Sequence, residues 1–175
     1  SSTLPSSDRS YFYPSVSASA VITDLLNMQS NLLTFGKIRA SWAQVGNDAN
    51  PYQLAQTFRS GGSWNGSVAQ YFENTTIANS GLKPEMTTGI EVGVDLRFLR
   101  NKLGLDLTYY TQNTENQILG VEISKASGYG QRILNAGEIT NKGIEVTLSG
   151  TPIDLPNGLK WDISLNYARN RNEVI

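Results

Sequence analysis

MTTGIEVGVDLRFLRNKLGLDLTYYT, from Met86 to Thr111, alternates with a period of two along most of its length. Ile90, Val92, Val94, Leu96 and Phe98 are apolar, and Glu91, Gly93, Asp95 and Arg97 fall between them. Successive side chains of a strand point to opposite faces, so this segment carries one oily face and one charged face. Arg100, Asn101 and Lys102 break the pattern, which resumes as Leu103, Leu105, Leu107 and Tyr109 against Gly104, Asp106, Thr108 and Tyr110. The reading is a hairpin of two long strands joined by a minimal polar turn. Each arm runs to about twice the length of an ordinary globular strand, which is what a tilted membrane-crossing strand needs. A half-buried strand of a soluble sandwich shows the same alternation, so the hairpin alone leaves both readings open.

The same period recurs on either side. Val16, Ala18, Ala20 and Ile22 alternate with Ser15, Ser17 and Ser19, and Ile38, Ala40 and Trp42 alternate with Lys37, Arg39 and Ser41. Toward the C-terminus, Ile144, Val146 and Leu148 stand against Glu145, Thr147 and Ser149, and Trp161, Ile163, Leu165 and Tyr167 against Asp162, Ser164 and Asn166. Strands are therefore predicted near 12–23, 32–45, 86–99, 103–119, 138–149 and 159–169, all within one domain spanning 1–175. Ser1 to Ser10 reads as loop, Asp24 to Asn31 as a short helical or loose turn, and Pro152, Pro156, Asn157 and Gly158 as a compact turn. Two aperiodic polar stretches, 46–85 and 113–137, are expected to be long outer loops; Ile118, Leu119, Val121 and Ile123 within the second suggest an extension of the preceding strand.

Bulk properties remove whole classes of function. The 175 residues suit one domain, and a net charge of -1 without a basic cluster argues against nucleic-acid binding. Cysteine and histidine are both absent, which excludes a disulfide framework, a thiolate nucleophile, an ordinary zinc site and a Ser-His-Asp triad within these residues. No apolar run is long enough for a transmembrane helix, and no signal peptide is evident at the N-terminus.

Connection lengths favour the membrane reading. The joints between predicted strands run short, long, short, long, short, as in a transmembrane barrel with tight turns at one end and long loops at the other. Phe98 and Trp161 lie near the short-turn ends of the oily face and Tyr109 and Tyr167 near the long-loop ends, as two interfacial girdles require. The six steps from Trp161 to Tyr167 nevertheless cover only about 15 Å of a band about 25 Å tall, so one of these two assignments conflicts with the other. Six strands do not close a barrel, and an open edge in lipid leaves backbone groups unpaired. The fold class expected is all-β, a fragment of about six antiparallel strands from a larger transmembrane β-barrel.

Several blocks carry a specific resemblance. Tyr13 to Ala18, Gly36 to Asn47, Leu82 to Glu85, Gly89 to Asp95, Tyr109 with Tyr110, Thr114 to Leu119, Asn135 to Gly137, Asn141 to Glu145, Trp161 and Asn166 together resemble the late-barrel signature of the SusC/RagA family of TonB-dependent outer-membrane transporters, in order and spacing across nearly the whole chain. Ser19 and Ala20 depart from the Gly-Trp pair often found in that family, which removes one interfacial anchor. The resemblance implies a barrel of about 22 strands, sited in the outer membrane of a Gram-negative cell. It also implies import of a large nutrient, an oligosaccharide or peptide, beneath a SusD-like surface lipoprotein. Energy would arrive from TonB through a plug; these residues hold no counterpart of the plug, the TonB box or a terminal aromatic. A TonB-dependent siderophore or vitamin receptor is the alternative within the barrel class, and a secreted β-rich adhesin or carbohydrate-binding module the alternative outside it.

No catalytic residue, metal ligand or cofactor site is expected. Lys37, Arg39, Glu91, Asp95, Arg97, Asp106, Glu145 and Asp162 are the candidate lumen-lining residues, either as a solvated wall with cross-strand pairs and plug contacts or as substrate contacts. Tyr52, Trp64, Tyr71, Phe72 and Tyr129 are candidates to touch substrate or lid, because an amphipathic ring offers a flat apolar face beside a polar tip. Asn47, Asp48 and Asn50 match no calcium loop, and Gly128 with Gly130 makes no phosphate loop.

Overall fold

The computed structural model describes residues 3–28, 30–156 and 158–175. Ser1, Ser2, Gln29 and Asn157, which fall in loop and turn readings above, lie outside the described residues. Six long strands form one antiparallel sheet: β1 (Ser15–Val21), β2 (Leu33–Asn47), β6 (Glu85–Phe98), β7 (Leu103–Glu115), β10 (Ile139–Asp154) and β11 (Lys160–Val174), adjacent in that order. A single helical turn, α1 (Ile22–Leu25), joins β1 to β2. The turn between β6 and β7 begins one residue earlier than the polar run suggests: Leu99, Arg100 and Asn101 all have positive φ. The Arg100 N–H is held by Thr34 Oγ1 at 2.9 Å and the Leu99 N–H by the Leu32 carbonyl at 2.9 Å.

Register puts every alternating set on its proper side. Trp42 faces Ile90, Ile90 faces Thr111, Thr111 faces Lys142 and Lys142 faces Arg171, forming one cross-sheet row. The next row down holds Ala40, Val92, Tyr109, Ile144 and Arg169, and the one below it Ile38, Val94, Leu107, Val146 and Tyr167. The upper aromatic residues therefore drop two rows from Trp42 to Tyr167, about 14 Å along the strands, across four strand spacings of about 4.8 Å each. That slope inclines the strands by roughly 35° to a level apolar edge, within the range of transmembrane barrels. At this inclination the apolar run of β6 from Ile90 to Phe98 spans about 22 Å and sets the height of the band, whereas Trp161 and Tyr167 on β11 bracket only about 17 Å of it.

Burial separates this sheet from an ordinary sandwich. Among the described residues the buried hydrophobic side chains are Leu4, Ala49, Leu82 and Ile133, and none belongs to the six-stranded sheet. Val92, on the inner strand β6, is 47% exposed at the centre of the apolar face. A soluble sandwich would have its core there.

The core sits instead at the long-loop end, where the two stretches read above as loops are structured. Residues 46–85 contain the hairpin β3 (Phe58–Trp64) and β4 (Val68–Glu73) and the short β5 (Thr76–Ile77). Residues 113–137 contain β8 (Ile118–Glu122) and β9 (Gln131–Asn135), which join β5 in a three-stranded sheet ordered β5-β9-β8. Their sequences hid this because each strand is short and its partner is distant or polar: β5 pairs in parallel with β9, and β3 is rich in Ser and Gly. β7 does not run on into 118–119; Asn116, at φ 56°, ends it and starts β8 as a separate strand. Ser1–Ser10 is not merely loop, since Leu4 is fully buried against this core and Ser6–Asp8 forms a 3₁₀ turn. β10 passes through a bulge at Thr151 and Pro152 to Asp154, and β11 continues past 169 because its upper half pairs with the start of β10. β1 starts only at Ser15, following Pro14, whose nitrogen has no hydrogen to donate to a ladder.

Leu82→Ala removes a fully buried side chain from the outer core, at a cost of about 2–5 kcal/mol. The expected outcome in the intact protein is faster proteolysis within 46–85 and 113–137 while the long strands stay protected, read by limited digestion and mass spectrometry.

Candidate functional site: the polar wall and its outer module

The face opposite the apolar band gathers all eight charged candidates. Lys37 lies opposite Asp95, and Asp95 opposite Asp106. One row above, Arg39 lies opposite Gly93, Gly93 opposite Thr108 and Thr108 opposite Glu145. Gly93 decides what Arg39 can reach. A Cβ there would sit 2.5 Å from Arg39 Nε, so the bare backbone lets the guanidinium cross β6 and bind β7. Arg39 donates Nη1 to Asp106 Oδ2 at 3.0 Å, and Nη2 to Asp106 Oδ1 at 2.9 Å and to Thr108 Oγ1 at 2.6 Å. Glu91 Oε1 stands 3.8 Å from Arg39 Nε. One cation thus draws together two strands that are not neighbours, through the fork geometry that suits a carboxylate, and reduces the repulsion between Asp95 and Asp106.

Of the remaining wall charges Asp95, Arg97 and Asp162 pair more loosely, and Lys37 and Glu145 have no ion pair among the described residues. Arg97 stands over the Phe35 ring at 5.2 Å and reaches Asp95 at 3.5 Å, while Asp162 accepts from Thr151 Oγ1 at 2.6 Å and sits 3.3 Å from Lys160. Above Arg39, a polar cavity of about 560 Å³ is bounded by Glu91, Tyr110, Gln112, Asn141 and Glu145. The Tyr110 ring lies across the backbone of Gly143, where any side chain would collide with it. Among the described residues Asn141 Oδ1 is a buried acceptor without a donor.

The outer aromatics are not one platform. Trp64, Val68 and Phe72 share a face of the β3–β4 hairpin, with Phe72 folded over Gly61, while Tyr71 points to the other face. Tyr52, 84% exposed, helps to line a separate outer cavity of about 620 Å³ with Phe58, Gln56, Asn74 and Gln131. Tyr129 donates its hydroxyl to Glu73 Oε1 at 2.8 Å; that bond, with the neighbouring charge, pushes the phenol above its ordinary pKa and ties the 3₁₀ turn at Lys125–Ser127 to the base of the hairpin.

Sequence reasoning missed the clamps that hold this module. Asn135 Oδ1 accepts the Lys83 N–H at 2.9 Å, and its Nδ2 donates to the carbonyls of Lys83 (2.9 Å) and Asn116 (2.8 Å). Glu85 accepts from the Ile118 N–H and from Asn47 Nδ2, each at 2.8 Å. The available signal was an amide or carboxylate flanking each long loop. Thr108 and Gly93 were also missed as partners of Arg39; the signal was a glycine interrupting an otherwise charged face.

An inclined sheet with one exposed apolar face, one charged face and structured loops at one end is the wall of a transmembrane β-barrel. The family described as TonB dependent receptor-like, beta-barrel matches residues 1–174, and the chain belongs to it. TonB-dependent receptor P26 of Formosa agariphila is 30% identical over 179 residues, covering 99% of this chain and 18% of its own length. TonB-dependent receptor SusC of Bacteroides thetaiotaomicron is 30% identical over 97 residues, covering 55% of this chain and 10% of its own. A structure described as the RagAB peptide importer in the closed-closed state superposes with a TM-score of 0.87 at 22% identity, over 99% of this chain and 19% of that one. The chain thus spans less than a fifth of these relatives' lengths, and its resemblance to the SusC/RagA transporters is matched in both sequence and fold. Family membership sets aside the soluble sandwich and the secreted adhesin.

Gly93→Ala displaces Arg39 from Asp106. We expect Gly93→Ala and Arg39→Met each to lower the stability of the folded barrel by about 1–2 kcal/mol, charge-assisted hydrogen bonds at a partly exposed site. The double variant is expected to lose little more than either single one. Denaturant unfolding of the intact protein in detergent checks both the size and the non-additivity.

Proposed function

We propose that this chain is a wall and outer-loop segment of a TonB-dependent importer that carries a large nutrient, an oligosaccharide or peptide, across the outer membrane of a Gram-negative cell. The observation that carries this reading is the pairing of an exposed apolar face with a continuous polar face, charged on five of the six long strands. The apolar face meets lipid; Lys37, Arg39, Glu91, Asp95, Arg97, Asp106, Glu145 and Asp162 line the lumen or contact a plug supplied by other parts of the protein. TonB acts through that plug. The outer module, with its exposed Tyr52, Trp64 and Tyr71, meets substrate or a SusD-like lipoprotein lid. The work is binding and passage, with no bond made or broken by these residues.

Purification of the intact protein from its native source in mild detergent tests this reading. A membrane-extracted barrel that co-purifies with a surface lipoprotein, and whose deletion abolishes growth on one class of oligosaccharide or peptide, supports it; a soluble protein with no such partner overturns it. Val94→Arg puts a charge at mid-height on the lipid face, at a cost of about 2–4 kcal/mol. It is expected to reduce sharply the amount of folded receptor in outer-membrane fractions, measured by immunoblot, whereas Asp95→Asn on the other face leaves that amount near the unmodified level.

A further inference from the structure

Three cations occupy the apolar side of the sheet where the alternation predicts none. Lys142 and Arg171 face each other directly across β10 and β11, and Arg169 lies one row below Arg171 on the same face. Thr111, opposite Lys142 on β7, adds a hydroxyl to the row. Because the apolar edge descends along the line from Trp42 through Tyr109 to Tyr167, these groups stand about one to two rows above that line, roughly 6–11 Å. This is the level at which headgroups flank a hydrocarbon band, and there an outward cation costs little.

Like charges directly opposite on adjacent strands repel. On the opposite face Arg39 is matched with Asp106, Arg97 with Asp95 and Lys160 with Asp162, and Lys37 lies directly opposite Asp95. Here Arg171 reaches only Glu173, at 3.9 Å, and among the described residues neither Lys142 nor Arg169 has a carboxylate within ion-pair distance. Among the described residues the patch therefore has two cations, Lys142 and Arg169, with no carboxylate partner, beside a hydroxyl donor, an arrangement suited to phosphate oxygens.

We infer that Lys142, Arg169 and Arg171, with Thr111, form a binding site for a phosphorylated headgroup of an outer-leaflet lipid, whose acyl chains lie down the apolar face below Tyr109 and Tyr167. The inference rests on the lipid-facing reading of that face. An anion bridging Lys142 and Arg171 turns their repulsion into a reason for the barrel to hold one lipid in place.

The test uses the intact receptor extracted in mild detergent, with retained lipid counted by native mass spectrometry and by phosphorus per polypeptide. The triple variant Lys142→Gln, Arg169→Gln, Arg171→Gln is compared with Lys142→Arg, Arg169→Lys, Arg171→Lys and with a charge control, Lys102→Gln with Lys125→Gln. Retained phosphorylated lipid is expected to fall about fivefold per cation removed, while the charge-conserving variant and the control keep theirs. Unchanged lipid on a glutamine variant that still assembles in the membrane overturns the site and leaves the importer reading intact. Failure of the unmodified protein to enter the membrane overturns the lipid-facing reading itself. Adding inorganic phosphate at millimolar concentration should not displace the lipid; if it does, the patch is a free-anion site and the inference fails.

Discussion

The structure depends on a sheet that buries no apolar side chain of its own. Its hydrophobic residues are as regular as those of any sandwich, yet among the described residues none on this face is buried, and the buried hydrophobic core lies wholly beyond the ends of the long strands. An uncovered apolar face of this extent requires lipid or another apolar surface against it. Lipid satisfies a second demand as well, because the backbone groups of the inner four strands are paired on both sides and need no water. The slope of the aromatic line across the sheet follows from the same geometry: strands inclined to the membrane must shift their apolar segments from one strand to the next to keep the band level.

On the other face, polar groups are organised rather than merely solvated. Arg39 crosses β6 because Gly93 offers no side chain, and its two bonds to Asp106 tie β2 to β7 across a strand that lies between them. The outer module uses the same economy of contacts. Asn135 spans three backbone groups from two different loops, and Glu85 joins the rim of β2 to the start of β8. Polar side chains at the strand ends thus fix an outer core of few residues onto the wall beneath it.

The long strands were legible because period two over ten or more residues is a strong signal and the turns between them are short. The outer strands were not. β5 is two residues long and pairs in parallel with β9, some fifty positions away, so no local pattern announces it. Leu4 and Leu82 read as isolated apolar residues in polar segments, although each is fully buried. Among the candidates, the charged wall residues could be assigned to one face from alternation alone, but the Arg39 bridge depends on which residue of β6 faces Arg39, and register is not written in a single strand. The aromatics of the loops were visible by type; their division between two faces of a hairpin and a separate cavity rests on the bulge after Ser60 and on the turn at Tyr52.

The two faces of β6 meet different media. The chain contains no cysteine, so single probes can be placed by Val92→Cys, Gly93→Cys, Val94→Cys, Asp95→Cys and Leu96→Cys in the intact receptor with any cysteines elsewhere removed. A fluorophore attached at each position would then be read in bilayers against a lipid-borne quencher and a water-soluble one. Strict alternation is expected, with probes at Val92, Val94 and Leu96 quenched from lipid and those at Gly93 and Asp95 from water or not at all. Uniform quenching by the aqueous reagent along all five positions would contradict it.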